Sequence, residues 1–414
     1  MEKVIREKRK NKKLKLGEVF RSNINRMMLL MFFCIFLYNL GHPATPGLIE
    51  LRNLDRSISG VFLAIMSSSM FLSSPYLGAL SDNIGMKKIF VFMPLIYGVS
   101  QFFFGFSESV IVMFMARIMA GFASGGTYAV ALGYVSQISF KEEKAKNIAK
   151  ISSVAIIGGA IGQKAGGIAA LRDTRYPFGL QLICGVMVSI LILVLMKEIV
   201  RKEPEGEKVE DKNLNPFSTF KYIYELDESS KFFCFIIFLS GIGIYSYASA
   251  LNYFLKFYIK ASSDTIGTYV MFSSLVAFLG TGFLLGGLLK KYKEVKIYRI
   301  MLFIGIFLMI IILFRLKLGV VSYLLMAAYT MTYEMVRSLG NSIIAQKNKG
   351  KQGKILGVAS AVSFLGNAIG SLLSGYILSL NRYLPFIVNI AVITCVVILL
   401  SLYIKKEDWR ENRK

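Results

Sequence analysis

The sequence predicts an all-α integral membrane protein of twelve transmembrane helices, arranged as two pseudo-symmetric six-helix halves. Three observations predict it. The 414 residues are 55% hydrophobic, with a mean hydropathy of +0.56. That excess is gathered into blocks of about 18 to 28 residues, each long enough as a helix to cross a hydrocarbon core of about 30 Å. The second half also repeats the first. G-G-A-I-G-Q-K-A-G-G at 158–167 returns as G-N-A-I-G-S-L-L-S-G at 366–375, so that Gly158, Gly162 and Gly167 recur as Gly366, Gly370 and Gly375. Gly60 and Gly78 fall opposite Gly267 and Gly286 at nearly the same offset. Corresponding pairs of this kind imply two homologous halves. Lipid leaves backbone groups no partner but one another, so the spans are helices, and the short alternating strands of a barrel are absent.

The first half (27–200) places spans at about 27–48, 58–81, 89–106, 109–136, 146–170 and 178–200. The second (232–404) places them at about 232–258, 265–290, 297–315, 319–345, 352–380 and 383–404. Residues 1–26 are a basic N-terminus, 201–231 a charged linker with Pro204 and Pro216, and 405–414 a tail. The net charge of +24 would suggest nucleic acid in a soluble protein. Here the charge follows topology. With the N-terminus inside, most of the 49 Lys and Arg fall in segments on that side. This positive-inside pattern puts both termini in the cytoplasm, makes the protein a multi-pass cell-membrane protein, and leaves no nucleic-acid partner to invoke. The run Lys8–Lys15 reads as a topology signal touching anionic lipid. No cleavable signal peptide is apparent. Cys34, Cys184, Cys234 and Cys395 lie within spans without metal-ligand spacing and read as small apolar side chains.

Span 1 ends in Y-N-L-G-H-P-A-T-P-G (38–47), where Pro43 and Pro46 predict an interrupted helix. Asn39, His42 and Thr45 follow at i, i+3 and i+6 and share a face, either lining a cavity or meeting a neighbouring helix. His42 is the one histidine and could carry a proton. Between spans 2 and 3 lies G-A-L-S-D-N-I-G-M-K-K (78–88), a tight polar loop. Gly85 permits the turn, Asp82 is a carboxylate at a helix end, and Lys87 and Lys88 mark the cytoplasmic side. Arg117 sits inside span 4, where a charge costs about 2.5–3.5 kcal/mol and needs an interior partner. In span 5, Gly158, Gly162 and Gly166 form a smooth stripe for close helix packing, and Lys164 near the outer end can snorkel. Span 7 is rich in aromatics, with Tyr245 and Tyr247 as cavity candidates. Span 10 carries Glu334 and Arg337 at i, i+3. They read either as a neutralised structural pair or as a site where Glu334 exchanges a proton.

The 78–88 stretch resembles the signature loop of major facilitator superfamily transporters, G-x-L-x-D-R-x-G-R-K. Gly78, Leu80, Asp82, Gly85 and Lys87 match; Asn83 and Met86 stand where the family has arginine. Arg117, Gly121 and Gly125 resemble the family's span 4 motif, R-x-x-x-G-x-x-x-G. The span 5 stripe is similar to the antiporter motif of twelve-helix drug:proton exporters, with Gln163 in place of its proline. The resemblance implies the major facilitator fold, with spans 1, 4, 7 and 10 lining a central cavity and spans 2, 5, 8 and 11 forming the interface between halves. Spans 1, 4, 7 and 10 hold the polar residues read above, which gives a substrate cavity at Asn39, His42, Tyr245, Glu334 and Arg337 and proton coupling through Glu334, His42 and Arg117, the last being linked to proton movement in the members it resembles. The resemblance also implies a conformational latch at Gly78, Asp82, Gly85 and Lys87, with Asp82 near the start of span 11, and helix-interface glycines at Gly158, Gly162, Gly166, Gly366 and Gly370. The expected function is proton-coupled efflux of a hydrophobic, drug-like small molecule by alternating access. The alternative is uptake or exchange of a small metabolite, an anionic one included. No G-x-x-x-x-G-K-[ST] run is present to bind ATP, so no cofactor is expected and an ion gradient must supply the energy. Small molecule, protons and lipid are the expected partners of a monomer. A membrane enzyme would need a histidine or paired carboxylates at a membrane surface, and the lone histidine lies inside span 1, so no enzyme is expected.

Overall fold

The computed structural model of the protein describes residues 22–140, 143–198, 224, 226–315, 319–347 and 352–411. Twelve long helices and no strand occur among the described residues. The first half holds α1 (22–39), α2 (Ile58–Ile84), α3 (Met86–Phe106), α4 (Val110–Ile138), α5 (Lys144–Ala169) and α6 (Tyr176–Leu195). The second holds α7 (Glu228–Phe257), α8 (Ser263–Leu289), α9 (Glu294–Phe314), α10 (Val320–Lys347), α11 (Gln352–Leu380) and α12 (Leu384–Glu411). Nine of these are long and apolar enough to cross a membrane. The other three are α1, α5 and α10. Their apolarity is diluted by groups such as Asn39, Gln163, Lys164, Glu334 and Arg337, which turn out to meet other groups in the interior or at the seams.

Helix ends differ from the sequence expectation where a residue's local chemistry overrides apolarity. Asp227 caps α7 by accepting from the Ser229 and Ser230 amides at 3.1 and 3.3 Å, so the helix starts inside the expected linker. The basic segment 1–21 and most of the linker lie outside the described residues. Helix α12 continues through 405–411, where the sequence suggested a tail. The expected loop after α2 shrinks to Gly85. Ser81, Asp82 and Asn83 stay helical, and only Gly85, at φ +110°, breaks the path into α3.

Span 1 is interrupted as the prolines require. Helix α1 stops at residue 39, turns follow, and a short helix, Thr45–Leu51, restarts with Pro46 in its first turn. The carbonyls freed by the break are met from neighbouring helices. Tyr97 of α3 donates to the Tyr38 carbonyl and Gln181 of α6 to the Leu37 carbonyl, each at 2.8 Å.

The glycine stripes pack on backbone. A methyl group at Gly158 or Gly162 would strike the carbonyls of Phe32 and Phe36 on α1, and one at Gly166 that of Leu40 just past its end. One at Gly366 or Gly370 would strike those of Phe238 and Ile242 on α7. These stripes therefore hold helices together within each half. The seams between halves use other glycines. Gly60 of α2 lies against Ser371 and Gly375 of α11, and Gly167 of α5 against Ser263 and Asp264 of α8, with Gly267 of α8 on the Gln163 carbonyl.

Both seams sit at the end of the bundle opposite the described termini, the far end. Among the described residues five apolar clusters fill the core. Two larger ones are confined to one half each, running from Ile24 to Met196 and from Phe233 to Leu400. The cluster that draws on both halves, joining Ala44, Phe62, Phe104 and Phe178 to Ala250, Tyr253 and Leu378, lies at the far end. The halves thus share apolar packing there and have separate cores toward the terminal end, a division that points to a cleft opening that way.

Candidate functional site

Midway along α10, Glu334 Oε2 accepts from Arg337 Nε at 2.9 Å and Nη2 at 2.6 Å. One helical turn brings the two onto the same face. The Glu334 side chain is 17% exposed and that of Arg337 50%. A half-exposed guanidinium in the middle of a span faces water, because hydrocarbon would not hold it, so the pair lines the cleft. Tyr245 of α7 lies against Tyr333 of α10, and both are within electrostatic reach of the pair. Tyr128 of α4, which the sequence reading passed over, joins them from the other half. Of the expected cavity residues, the structure brings together Glu334, Arg337 and Tyr245. Tyr247 does not join them. Two residues on from Tyr245, it points the other way, is 3% exposed, and packs against Tyr329 and Phe386.

A second polar group lies toward the far end. Arg117 of α4 is 2% exposed. Its guanidinium stacks on Phe104 of α3, 3.5 Å from the ring centre, with Phe62 of α2 at 5.9 Å. Its Nη1 donates to Gln101 Oε1 at 3.4 Å. The partner expected of a buried charge is absent in carboxylate form: among the described residues no Asp or Glu pairs with it, and its Nε has no hydrogen-bond partner. A buried charge without a counter-charge costs several kcal/mol, so aromatic faces and one amide offset it only in part. His42 and, from the other half, Tyr253 are within electrostatic reach. Asn39 leaves the expected cavity face: it donates to Ile35 and accepts from Gln163 of α5 at 3.1 Å. Thr45 donates to the Gly41 carbonyl at 2.9 Å. Gln101, Gln181 and Tyr97 were missed, although a lone glutamine inside an apolar span was the signal for two of them.

The far-end seams carry charge as well as glycine. Lys164 does not snorkel to water. It crosses between halves to Asp264 and donates to Thr268 at 2.7 Å. Glu50, at the end of the short helix, pairs with Lys256 of α7 at 3.4 Å, and Arg56 stacks on Phe257 at 4.5 Å. At the terminal end, Asp82 accepts from Gln137 of α4 at 3.3 Å. The Lys87 amide donates to Glu198, just past α6, at 3.4 Å, and a Cβ on Gly85 would meet the same carboxylate. Gly78 has Ala129 of α4 beside it. These contacts lie within the first half. The side chains at the start of α11, where Asp82 was expected to reach, fall outside the described residues.

The Major Facilitator Superfamily model matches residues 27–370 and 233–414. Multidrug resistance protein 2 of Bacillus subtilis (strain 168) is 24% identical over 364 residues, covering 87% of this chain and 90% of that one. Quinolone resistance protein NorA of Staphylococcus aureus (strain MSSA476) is 21% identical over 377 residues, covering 89% and 94%. Among solved structures, the human organic anion transporter MFSD10 (TETRAN) superposes with a TM-score of 0.70 at 16% identity, over 92% of this chain and 99% of that one. The nucleoside transporter NupG does so with a TM-score of 0.67 at 14% identity, over 92% and 98%. These two likenesses concern the fold.

Proposed function

Since this chain belongs to the major facilitator superfamily, and is thus a multi-pass membrane transporter, we propose that it exports hydrophobic, drug-like small molecules in exchange for protons. The observation that carries this is the Glu334–Arg337 pair, a carboxylate set inside a span at the wall of a cleft sealed at one end. The drug-resistance relatives support the direction and the substrate class. With the terminal end at the cytoplasmic face of the cell membrane, as the Lys and Arg distribution argues, the cleft opens to the cytoplasm and the seams face outside. Glu334 then takes a proton when the far end opens and gives it up inside, with His42 and Arg117 on the path from the far end. The Asp82 loop acts in the other state, where its carboxylate meets the positive end of α11 and holds the terminal end shut. The protein works as a monomer, without cofactor or enzymatic step.

Proteoliposomes with an imposed pH gradient and an internal pH dye test the reading. Lipophilic cations, neutral antibiotics and organic anions are added singly. Proton movement with a lipophilic compound, lost in Glu334→Gln along with the pH dependence of transport, is the expected result. An unchanged pH profile in Glu334→Gln returns the pair to a structural role. Movement with organic anions alone favours the second reading, an uptake or exchange permease for a small anionic metabolite, to which the carboxylate-free Arg117 points.

A further inference from the structure

We propose that Arg117 and Gln101 form the binding site for the anionic end of an aromatic carboxylate. This rests on the reading of the chain as a small-molecule transporter and names a chemical class for its ligand. Arg117 and Gln101 are 2% and 1% exposed, on the adjacent helices α4 and α3. Arg117 Nε and Gln101 Nε2 are both donors without partners among the described residues, although the two side chains touch. Buried donors beside an uncompensated cation call for a charged acceptor. A carboxylate, planar and with two oxygens, can engage Nε and a second donor together.

The surroundings supply the rest of the ligand. Phe104 and Phe62 flank the guanidinium, and Tyr97 and Tyr253 lie within electrostatic reach. Both phenylalanine rings are fully buried with the far end closed, so they meet the flat apolar body attached to the anion when that end opens. Tyr253 comes from α7 and His42 from the break in span 1, so an anion held here lies within electrostatic reach of both halves. The repeat separates this charge from scaffolding. Helices pack equivalently in the second half, yet the positions 208 to 210 residues on are Leu325, Met326 and Ala327, and α9 contains no glutamine. The architecture stands without an arginine there.

The test is equilibrium binding to the purified full chain in detergent, read as ligand-induced thermal stabilisation, which requires neither a gradient nor a direction of transport. Naphthoate is compared with its neutral isostere naphthamide. The acid is expected to bind about tenfold more tightly than the amide in the wild type, and Arg117→Gln should bind both alike. If Arg117→Gln does not fold, Gln101→Leu replaces it and should lose most of the preference for the acid. A chloride titration without compound distinguishes the source of the anion. Stabilisation by chloride that vanishes in the variant supports the same site filled by an inorganic ion. Equal affinity for acid and amide in the wild type, together with no response to chloride, overturns the proposal. So does a preference that survives in both variants. Failure of proton exchange in liposomes with the acid preference intact removes the export reading and leaves this site standing.

Discussion

The two halves are built alike and equipped differently. Phe32 and Phe36 on α1 receive the glycines of α5 as Phe238 and Ile242 on α7 receive those of α11, at spacings of 206 to 208 residues. The α6 amide of Gln181 donates to an α1 carbonyl, and the α12 amide of Asn389, 208 residues on, donates to the Gly243 carbonyl of α7 at 2.7 Å. Gly60 lies on the Ser371 carbonyl as Gly267 lies on that of Gln163, and Gly375 on the Ser57 carbonyl as Gly167 lies on that of Ser263, so the two seams are copies of one contact. The departures hold the chemistry. The first half has a broken span and a buried Arg117. The second has an unbroken α7, a π-type turn at Gly280–Leu284, and the Glu334–Arg337 pair. Repetition here marks scaffold, and its failures mark the candidate site.

The sharpest way to break the comparison is to disturb what repeats. Gly162→Leu and Gly370→Leu should each destabilise the protein by about 3 kcal/mol, since the obstacle is backbone that cannot yield. Equal losses of folded yield and thermal stability are expected; a harmless substitution at either position breaks the equivalence. Next, Gln181→Leu should cost about 2 kcal/mol and Asn389→Leu about 1 kcal/mol. The Leu37 carbonyl stands at the break, where the Leu40 amide reaches it at 3.4 Å, whereas the Gly243 carbonyl lies within a continuous helix and also accepts from Ser246 at 2.6 Å. Equal costs in denaturation measurements would mean that the break is satisfied by something else.

Asp82→Ala should lower transport by about tenfold with membrane content unchanged, while Ala at Lys290, which occupies the corresponding place in the second half, should leave it intact. Wild-type transport in Asp82→Ala discards the latch. Smallest, Lys164→Asp should weaken far-end closure by about 1 kcal/mol, read as a loss of disulfide trapping between cysteines placed on α5 and α8. Adding Asp264→Lys should restore it, and failure to restore means the pair is incidental.

Much of the scaffold was legible. Prolines 43 and 46 announced the break, apolar blocks the helices, and G-x-x-x-G spacing the close contacts. The partners of those contacts were not. A glycine stripe says that a backbone approaches, not whose, so the sequence suggested the interface between halves where the structure shows α1 and α7. Lys164 near a span end suggested water, because nothing local reveals that Asp264, a hundred residues away, lies opposite. Tyr245 and Tyr247 looked alike by type, and only helix geometry separates the cleft from the core. Arg117 was recognised as a charge needing a partner, but the absence of a carboxylate beside it among the described residues is a fact of three dimensions. Asp82 was expected at the start of α11, and the contacts described for it lie on its own side.

The glycine seams have a consequence for motion. Where Gly60 meets Gly375 and Gly167 meets Ser263, backbone touches backbone with no side chain to interlock. A joint of this kind works like a plain bearing rather than a gear. The halves can roll across it without lifting teeth from grooves or resetting rotamers. The entropy of side-chain ordering, which ordinarily accompanies the making of an interface, does not enter there on each closing. The resistance to reopening is left to the side chains beside the joint, the shared apolar cluster and a few charges, so it can be tuned at Lys164, Asp264, Glu50 and Lys256 without altering the glycine contacts themselves.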